Sequence, residues 1–332
     1  MQDYERDNIL EQYEIAVNST RKTRGAILCS TDKGVFLMRE VGVSEKRLPA
    51  LIELYEYFMD YGYQTIDMPV KNREGDYVTK GFDGSIYMLR RMPPGRECDP
   101  KNEEELLKSM RLLARVHREL RGVLRTEGAE RRRILGADRS EELEKHNREM
   151  KRARNFIRTR QKKGEFELLY LQCAETIFQN GADALELLKA SGSEKLYQQA
   201  VDGEHLCHGE YVHHNILLQR QETALVNFSR FEINVQMNDV SQFLRKIMEK
   251  HNWNGGLAER MLTAYERERP LSGEERAYLA ASLCYPEKAW KLVHHYYHTN
   301  KAWVPEKSAE KLQVFLAQNE RRKKMVKELW VS

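Results

Sequence analysis

The 332-residue sequence predicts an α+β fold of two lobes, a small antiparallel β N-lobe and a larger helical C-lobe. Three observations predict it. Short β-type runs separated by turn signals fill the first 92 residues, Pro93-Pro94-Gly95 then makes a stiff break, and nearly every later segment repeats its apolar residues at helical spacing. The exception in the C-lobe is residues 206–229, LCHGEYVHHNILLQRQETALVNFS, where two short apolar runs joined by a polar turn read as a hairpin. The expected boundaries are an N-lobe over 1–92, a linker over 93–100 and a C-lobe over 101–332.

The N-lobe elements follow in order. Residues 14–18, 26–30 and 34–39 are expected strands, with Thr31-Asp32-Lys33-Gly34 as the turn between the last two and 18–25 as a basic loop containing Arg21, Lys22 and Arg24. Ser44 is placed to cap a helix over 45–60, where Leu48, Leu51, Ile52, Tyr55, Phe58 and Met59 share a face. Pro49 is tolerated in its first turn, and Gly62 ends it. Residues 65–70, 77–82 and 85–91 complete the strands, with Glu74-Gly75-Asp76 and Asp83-Gly84 as turns.

The C-lobe opens with a helix from Asn102 to Leu120. Asn102 caps it, Glu103, Glu104 and Glu105 suit the positive end of its dipole, and His117 falls on the apolar face as a core histidine. Residues 145–163 form a basic helix with a narrow stripe of Met150, Ala153 and Ile157, read first as a solvated face and second as a polyanion site. Helices are expected over 165–190 and 193–202, broken at Asn180-Gly181 and Ser191-Gly192, and over 239–252, 256–268, 273–283, 286–299 and 305–328, with Asp239, Ser272 and Pro286 as caps. The cluster from His294 to His298 reads as packing, since adjacent histidines on a helix point apart, and Arg321-Arg322-Lys323-Lys324 reads as solvated.

Composition narrows the function classes. Hydrophobic residues at 41% and charged residues at 32% describe a charge-rich globular chain, and a net charge of +4 calls for neither nucleic acid nor an anionic membrane. The start, MQDYERDNIL, lacks the apolar core of a signal peptide, and no run approaches the roughly 18 apolar residues of a membrane span. Five dispersed cysteines, without C-x-x-C pairing, read as reduced thiols of a cytosolic protein rather than a disulfide frame or zinc site.

The hairpin carries the chemistry. His208-Gly209-Glu210 through Asn215 resembles the catalytic loop H-G-D-x-x-x-x-N of the aminoglycoside phosphotransferase and choline kinase superfamily, and Val226-Asn227-Phe228-Ser229 resembles its metal loop. The resemblance implies a protein-kinase-like fold, ATP and Mg²⁺ if the chain is active, and a catalytic pair of His208 and Glu210, with Glu210 in the place of the aspartate base. It implies Asn215 and Asn227 as the metal positions, with Asn227 replacing an aspartate and Ser229 replacing the next acidic residue. It also implies nucleotide contacts at Arg39, where the family has lysine, at Glu53 or Glu56 as the partner of Arg39, and at Arg21 and Lys22.

These replacements predict a pseudokinase. Mg²⁺ is held by carboxylates plus substrate phosphates, and an amide carbonyl brings no charge. The extra methylene of Glu210 moves its carboxylate by roughly 1 Å, which costs on the order of 100-fold where catalysis depends on position. Arginine at position 39 keeps the charge but is larger and planar.

A narrower resemblance rests on further segments. Met92-Pro93-Pro94-Gly95-Arg96-Glu97, Leu113-Ala114-Arg115-Val116-His117 and Asp239 to Lys246 with Trp253 are similar to segments of CotS-type spore-coat proteins. It implies a protein of the mother-cell cytoplasm and then of the spore coat, with other coat proteins as partners. Three function classes stay open: an impaired member acting in coat structure or assembly, a phosphotransferase acting on a small hydroxyl or amino substrate, and, ranked below both, a polyanion-binding protein using residues 145–163.

Overall fold

The computed structural model describes residues 3–219, 222–299 and 306–330. The chain opens with α1 (Asp3–Leu10), an element the sequence reading omits, followed by β1 (Val17–Thr23), β2 (Ala26–Thr31) and β3 (Gly34–Glu40). Then come α2 (Leu48–Asp60), β4 (Met68–Pro69), β5 (Thr79–Lys80) and β6 (Ile86–Arg91). The six strands form one antiparallel sheet in the order β1-β2-β3-β6-β4, with β5 also paired to β6.

Alternation along the strands decides what each face does. Ile27, Cys29, Phe36, Met38, Tyr87 and Leu89 pack with Ile9, Leu10 and Tyr13, so α1 and the turn after it cover one face. Leu28, Val35, Leu37 and Arg39, one residue out of phase, line the cleft on the other face. The 18–25 segment differs from the expected phosphate loop. It is the body of β1, and only Arg24-Gly25 forms the turn, closed by the Thr23–Ala26 pair. Both turn residues have left-handed φ, 38° and 73°, the two-residue turn whose twist matches its strands.

The helical part is entered through β7 (Arg96–Glu97), which pairs with a later strand and makes the expected linker part of a sheet. There follow α3 (Glu103–Glu119), α4 (Gly128–Arg133), α5 (Arg139–Thr159), α6 (Glu165–Ala190) and α7 (Ser193–Asp202). The site hairpins use β8 (Leu206–Cys207), β9 (Ile216–Leu218), β10 (Thr223–Leu225) and β11 (Glu232–Ile233). The chain continues with α8 (Met237–Lys250), α9 (Gly255–Glu266), α10 (Gly273–Cys284), α11 (Glu287–His298) and α12 (Glu306–Trp330). The expected turn positions 220–221 and the helix start at 305 lie outside the described residues.

Several helix expectations change for packing reasons. α5 begins at the Asp138 cap, earlier than position 145, and ends before Lys162 and Lys163; Met150, Ala153 and Ile157 are wholly buried on its stripe. Burying the Met and Ile side chains contributes about 1.5–3 kcal/mol each. α6 runs unbroken through Asn180-Gly181 because those residues serve a contact. A Cβ on Gly181 would lie 2.5 Å from Asn147 Oδ1 of α5, and Asn180 donates to Asn319 Oδ1 of α12 at 3.1 Å. Ser272 caps α10 as expected, whereas the α8 cap is Gln236 and not Asp239. Arg322 is buried rather than solvated, donating to Tyr285 O at 2.9 Å and to Asn319 Oδ1 at 2.8 Å.

Candidate functional site

Two short ladders bring the polar ends of 206–229 together. β9 pairs with β10 and β8 pairs with β11, so residues 208–215 and 226–231 leave the ladders at one place. Gly209 allows their approach. Its φ is +76°, and a Cβ there would lie 2.0 Å from Arg230 O.

Below the loop, Asp239 accepts from the backbone N–H of His208 at 2.6 Å and of Gly209 at 2.9 Å. Its Oδ2 also meets His117 Nε2 at 3.2 Å, and His117 Nδ1 meets Tyr265 Oη at 2.8 Å. Asp239 therefore anchors the loop instead of capping a helix, and His117 is the hydrogen-bonded core histidine expected.

His208 is brought to the site but not to its surface. The ring is wholly buried, Nε2 donates to Val226 O at 3.1 Å and Nδ1 accepts from Glu210 N–H at 3.2 Å. Burial lowers its pKa, which favours the neutral ring both bonds require. Both ring nitrogens of His208, expected as part of a catalytic pair, are thus engaged inside the protein, where the ring braces the loop and the backbone of Glu210.

Glu210, Asn215 and Asn227 do converge. Asn215 Nδ2 donates to Glu210 O at 2.9 Å, Asn227 Nδ2 donates to Glu210 Oε2 at 3.1 Å, and Ser229 Oγ donates to Asn227 Oδ1 at 3.2 Å. Asn227 has a left-handed φ of 72°, and its N–H donates to Asp67 Oδ1 at 3.0 Å. Asp67 is wholly buried and pairs with Arg90 at 2.9 Å, which in turn donates to Tyr55 Oη at 3.0 Å. This donor set does not fit Mg²⁺: it offers one carboxylate, already taken by an amide N–H, and two neutral amides.

Above the loops lies a cleft of about 800 Å³. Leu28, Val35 and Leu37 from the sheet face Leu217 and Val226 from below, an apolar slot, while Arg21 and Arg39 supply charge. Lys22, on the opposite side of β1 from Arg21 and Thr23, is exposed and not part of the lining. Burial and Arg90 lower the pKa of Arg39, against the pull of Glu210 and Asp67, and its Nη2 donates to Arg24 O at 3.5 Å.

Glu53, expected beside Arg39, is not among the residues that line the cleft. Its carboxylate accepts from Arg125 N–H and Thr126 Oγ, on the far side of α2 from the cleft, and Glu56 also lines that outer face. Across the cleft mouth, Arg24 Nη2 donates to Glu97 Oε2 at 2.9 Å, and His214 Nδ1 meets the same oxygen at 2.8 Å.

Spacing alone misses Asp67, Arg90, Glu97 and the anchoring use of Asp239. The available signal was a lone acid in Ile66-Asp67-Met68 and the first arginine of Met88-Leu89-Arg90-Arg91, whose strand phase puts it on the side opposite Arg91, each a charge beside apolar residues with no acid–base partner nearby in the sequence.

The family model described as "Spore coat putative kinase YutH" matches residues 6–329. The chain belongs to that YutH family. It is similar to spore coat protein S of Bacillus subtilis (strain 168), with 21% identity over 295 residues, 88% of this chain and 83% of the relative. Among solved structures, the YutH-family chain resembles an aminoglycoside phosphotransferase from Alicyclobacillus acidocaldarius, with a TM-score of 0.82, 18% identity and coverage of 97% of this chain and 94% of the other. It also resembles AMP-bound spectinomycin phosphotransferase, with a TM-score of 0.68, 11% identity and 96% coverage of each chain. The fold is therefore the kinase-like one of the aminoglycoside phosphotransferases, as the motifs implied.

Proposed function

We propose that this YutH-family chain is a kinase-fold protein that does not transfer phosphate and that acts in spore-coat structure or assembly through contacts with other coat proteins. The observation that carries the reading is Asn227: its amide stands where the metal loop would hold a carboxylate, and it donates to Glu210, the expected base. A carboxylate that receives an amide N–H is fixed and partly neutralised, and among the described residues Glu97 is the one acid lining the cleft, already engaged by Arg24 and His214. The family description and the likeness to spore coat protein S support the coat assignment.

One observation favours the phosphotransferase reading: the cleft keeps a nucleotide-sized volume with an apolar slot beside Arg39. Restoring the acids separates the two. Asn227→Asp with Glu210→Asp rebuilds the carboxylates of an active loop, and these would lie beside Asp67, which already accepts from position 227. The expected outcome is no ATP hydrolysis above background and a melting temperature at or below the parent's, since like charges then crowd a site with no metal. Turnover in the double variant would overturn the assignment.

A further inference from the structure

A second cavity, of about 940 Å³, lies on the other side of the catalytic-type loop, bounded by α8, α11 and α12. The loop divides the two spaces: His214 and Asn215 line the cleft between sheet and helices, and His213 lines this cavity. Eight lysine and arginine side chains face it against three glutamates, a surplus of five that exceeds the +4 of the whole chain.

Two of the three glutamates are already engaged, and the third, Glu310, is exposed on α12. Glu249 takes Arg245 at 2.6 Å and Lys288 at 3.7 Å, and Glu287 takes Arg139 at 2.9 Å and Lys291 at 3.2 Å. Among the described residues, Lys250 has only His213 Nε2, at 3.3 Å. Lys246, Lys307 and Lys311 form no ion pair among the described residues, although Lys246 is half-buried. Desolvation and the neighbouring Arg245 and Lys291 push the Lys246 ammonium down to about 8. Trp253, Tyr285 and Phe315 give the cavity an apolar floor, with the Arg322 guanidinium 5.1 Å from the Phe315 ring centre.

Partly desolvated like charges repel one another, and a fold tolerates them where a counter-charge is supplied. We propose that this cavity binds a small polyanion carrying two or more phosphate or carboxylate groups, held by Lys246, Lys250 and Lys311. The volume suits a compact molecule, and the apolar floor suits one with an organic body. The site neither requires nor excludes phosphoryl transfer at Glu210, so it stands apart from the proposed loss of catalysis.

Isothermal titration of the full chain with tripolyphosphate and with citrate, in low salt without Mg²⁺, tests the assignment. The parent, Lys246→Ala/Lys311→Ala and Arg152→Ala/Arg158→Ala are compared; the last pair removes the same charge from the exposed side of α5, away from the cavity. One equivalent of anion is expected to bind the parent, at least tenfold more weakly to the cavity variant, and within about twofold of the parent to the α5 variant. The anion that binds more tightly identifies the phosphate or the carboxylate source.

Removing like charges should leave the unliganded cavity variant melting at or above the parent. If it melts lower, Lys311→Glu, a change at an exposed position of α12, must still weaken binding. Equal affinity in all the variants, or several weak equivalents lost at 150 mM salt, would overturn the site, because surface lysines anywhere would then explain the binding.

Discussion

Asp67 links the sheet to the metal-type loop through two contacts, Arg90 on β6 and the N–H of Asn227. Both charged groups lie in the dry interior, Asp67 with no exposure and Arg90 at 2%. Burying two ions costs desolvation that their attraction roughly offsets, so the pair is more a registry device than a source of stability. Removing one partner is different. Asp67→Ala leaves the Arg90 guanidinium unpaired and the Asn227 N–H unmet, and should lower unfolding free energy by about 3–5 kcal/mol, read from the guanidinium midpoint. A loss under about 1 kcal/mol would mean the carboxylate does not tie the loop to the sheet. The sequence shows Asp67 as a lone acid and Arg90 as one of two adjacent arginines in otherwise apolar runs, but pairing across the sheet is a long-range fact that strand periodicity does not encode. For the same reason Glu210, Asn215 and Asn227 were legible from their spacing, while the amide bond to Glu210 was not.

Among the elements, α5 shows how a charged segment is resolved by its neighbours. Its Arg148 meets Glu144 at 3.7 Å on its own face, its Arg154 meets Glu175 of α6, and Lys189 of α6 shares Glu144 at 2.6 Å. Such exposed pairs contribute about 0–1 kcal/mol each, and Lys151, Arg152 and Arg158 stay exposed on the same helix. Its buried side holds His146, stacked on Trp290 with ring centres 3.4 Å apart. Glu149 beside it accepts from Trp290 at 3.0 Å and meets His294 at 3.1 Å, so two members of the trio Glu149, His294 and His298, close enough to suggest a metal, are engaged by hydrogen bonding, and His298 lies against the His294 ring with centres 4.2 Å apart.

Burial, the largest influence on His146, pushes its pKa down to about 4. The unfolded chain binds that proton near 6.5, so this contribution to stability is full above 6.5 and is lost as pH falls toward 4. The loss at pH 5 is about 2 kcal/mol at most. His146→Phe keeps a stacking ring without the titration. Its stability should fall less between pH 7 and pH 5 than the parent's, and identical pH slopes would remove His146 from the account. Helical periodicity revealed α5 and its stripe, but the Gly181 contact that keeps α6 continuous depends on Asn147, which lies 34 residues away.

At the scale of the molecule, the order of strands and helices was legible because turn residues and apolar periods are local. The lobe contacts and cavities were not, since they join distant residues. β7 is two residues long and exists by pairing with β9, and the cationic cavity assembles Lys246, Lys291 and Lys311 from three helices, each of which looks solvated when read alone. Two anion-attracting spaces on opposite sides of one loop have a consequence for nucleotide binding. ATP can be drawn to either, but only a working metal site lets magnesium strengthen the binding, because Mg²⁺ chelated by ATP otherwise just lowers the charge that the lysines attract. The most direct measurement is therefore the melting temperature of Lys246→Ala/Lys311→Ala with millimolar ATP, with and without Mg²⁺. A ligand at 100 times its dissociation constant adds about 2.7 kcal/mol. With an amide at Asn227 donating to Glu210, magnesium should add no rise beyond ATP alone; a clear magnesium-dependent rise would contradict the proposed loss of the metal site.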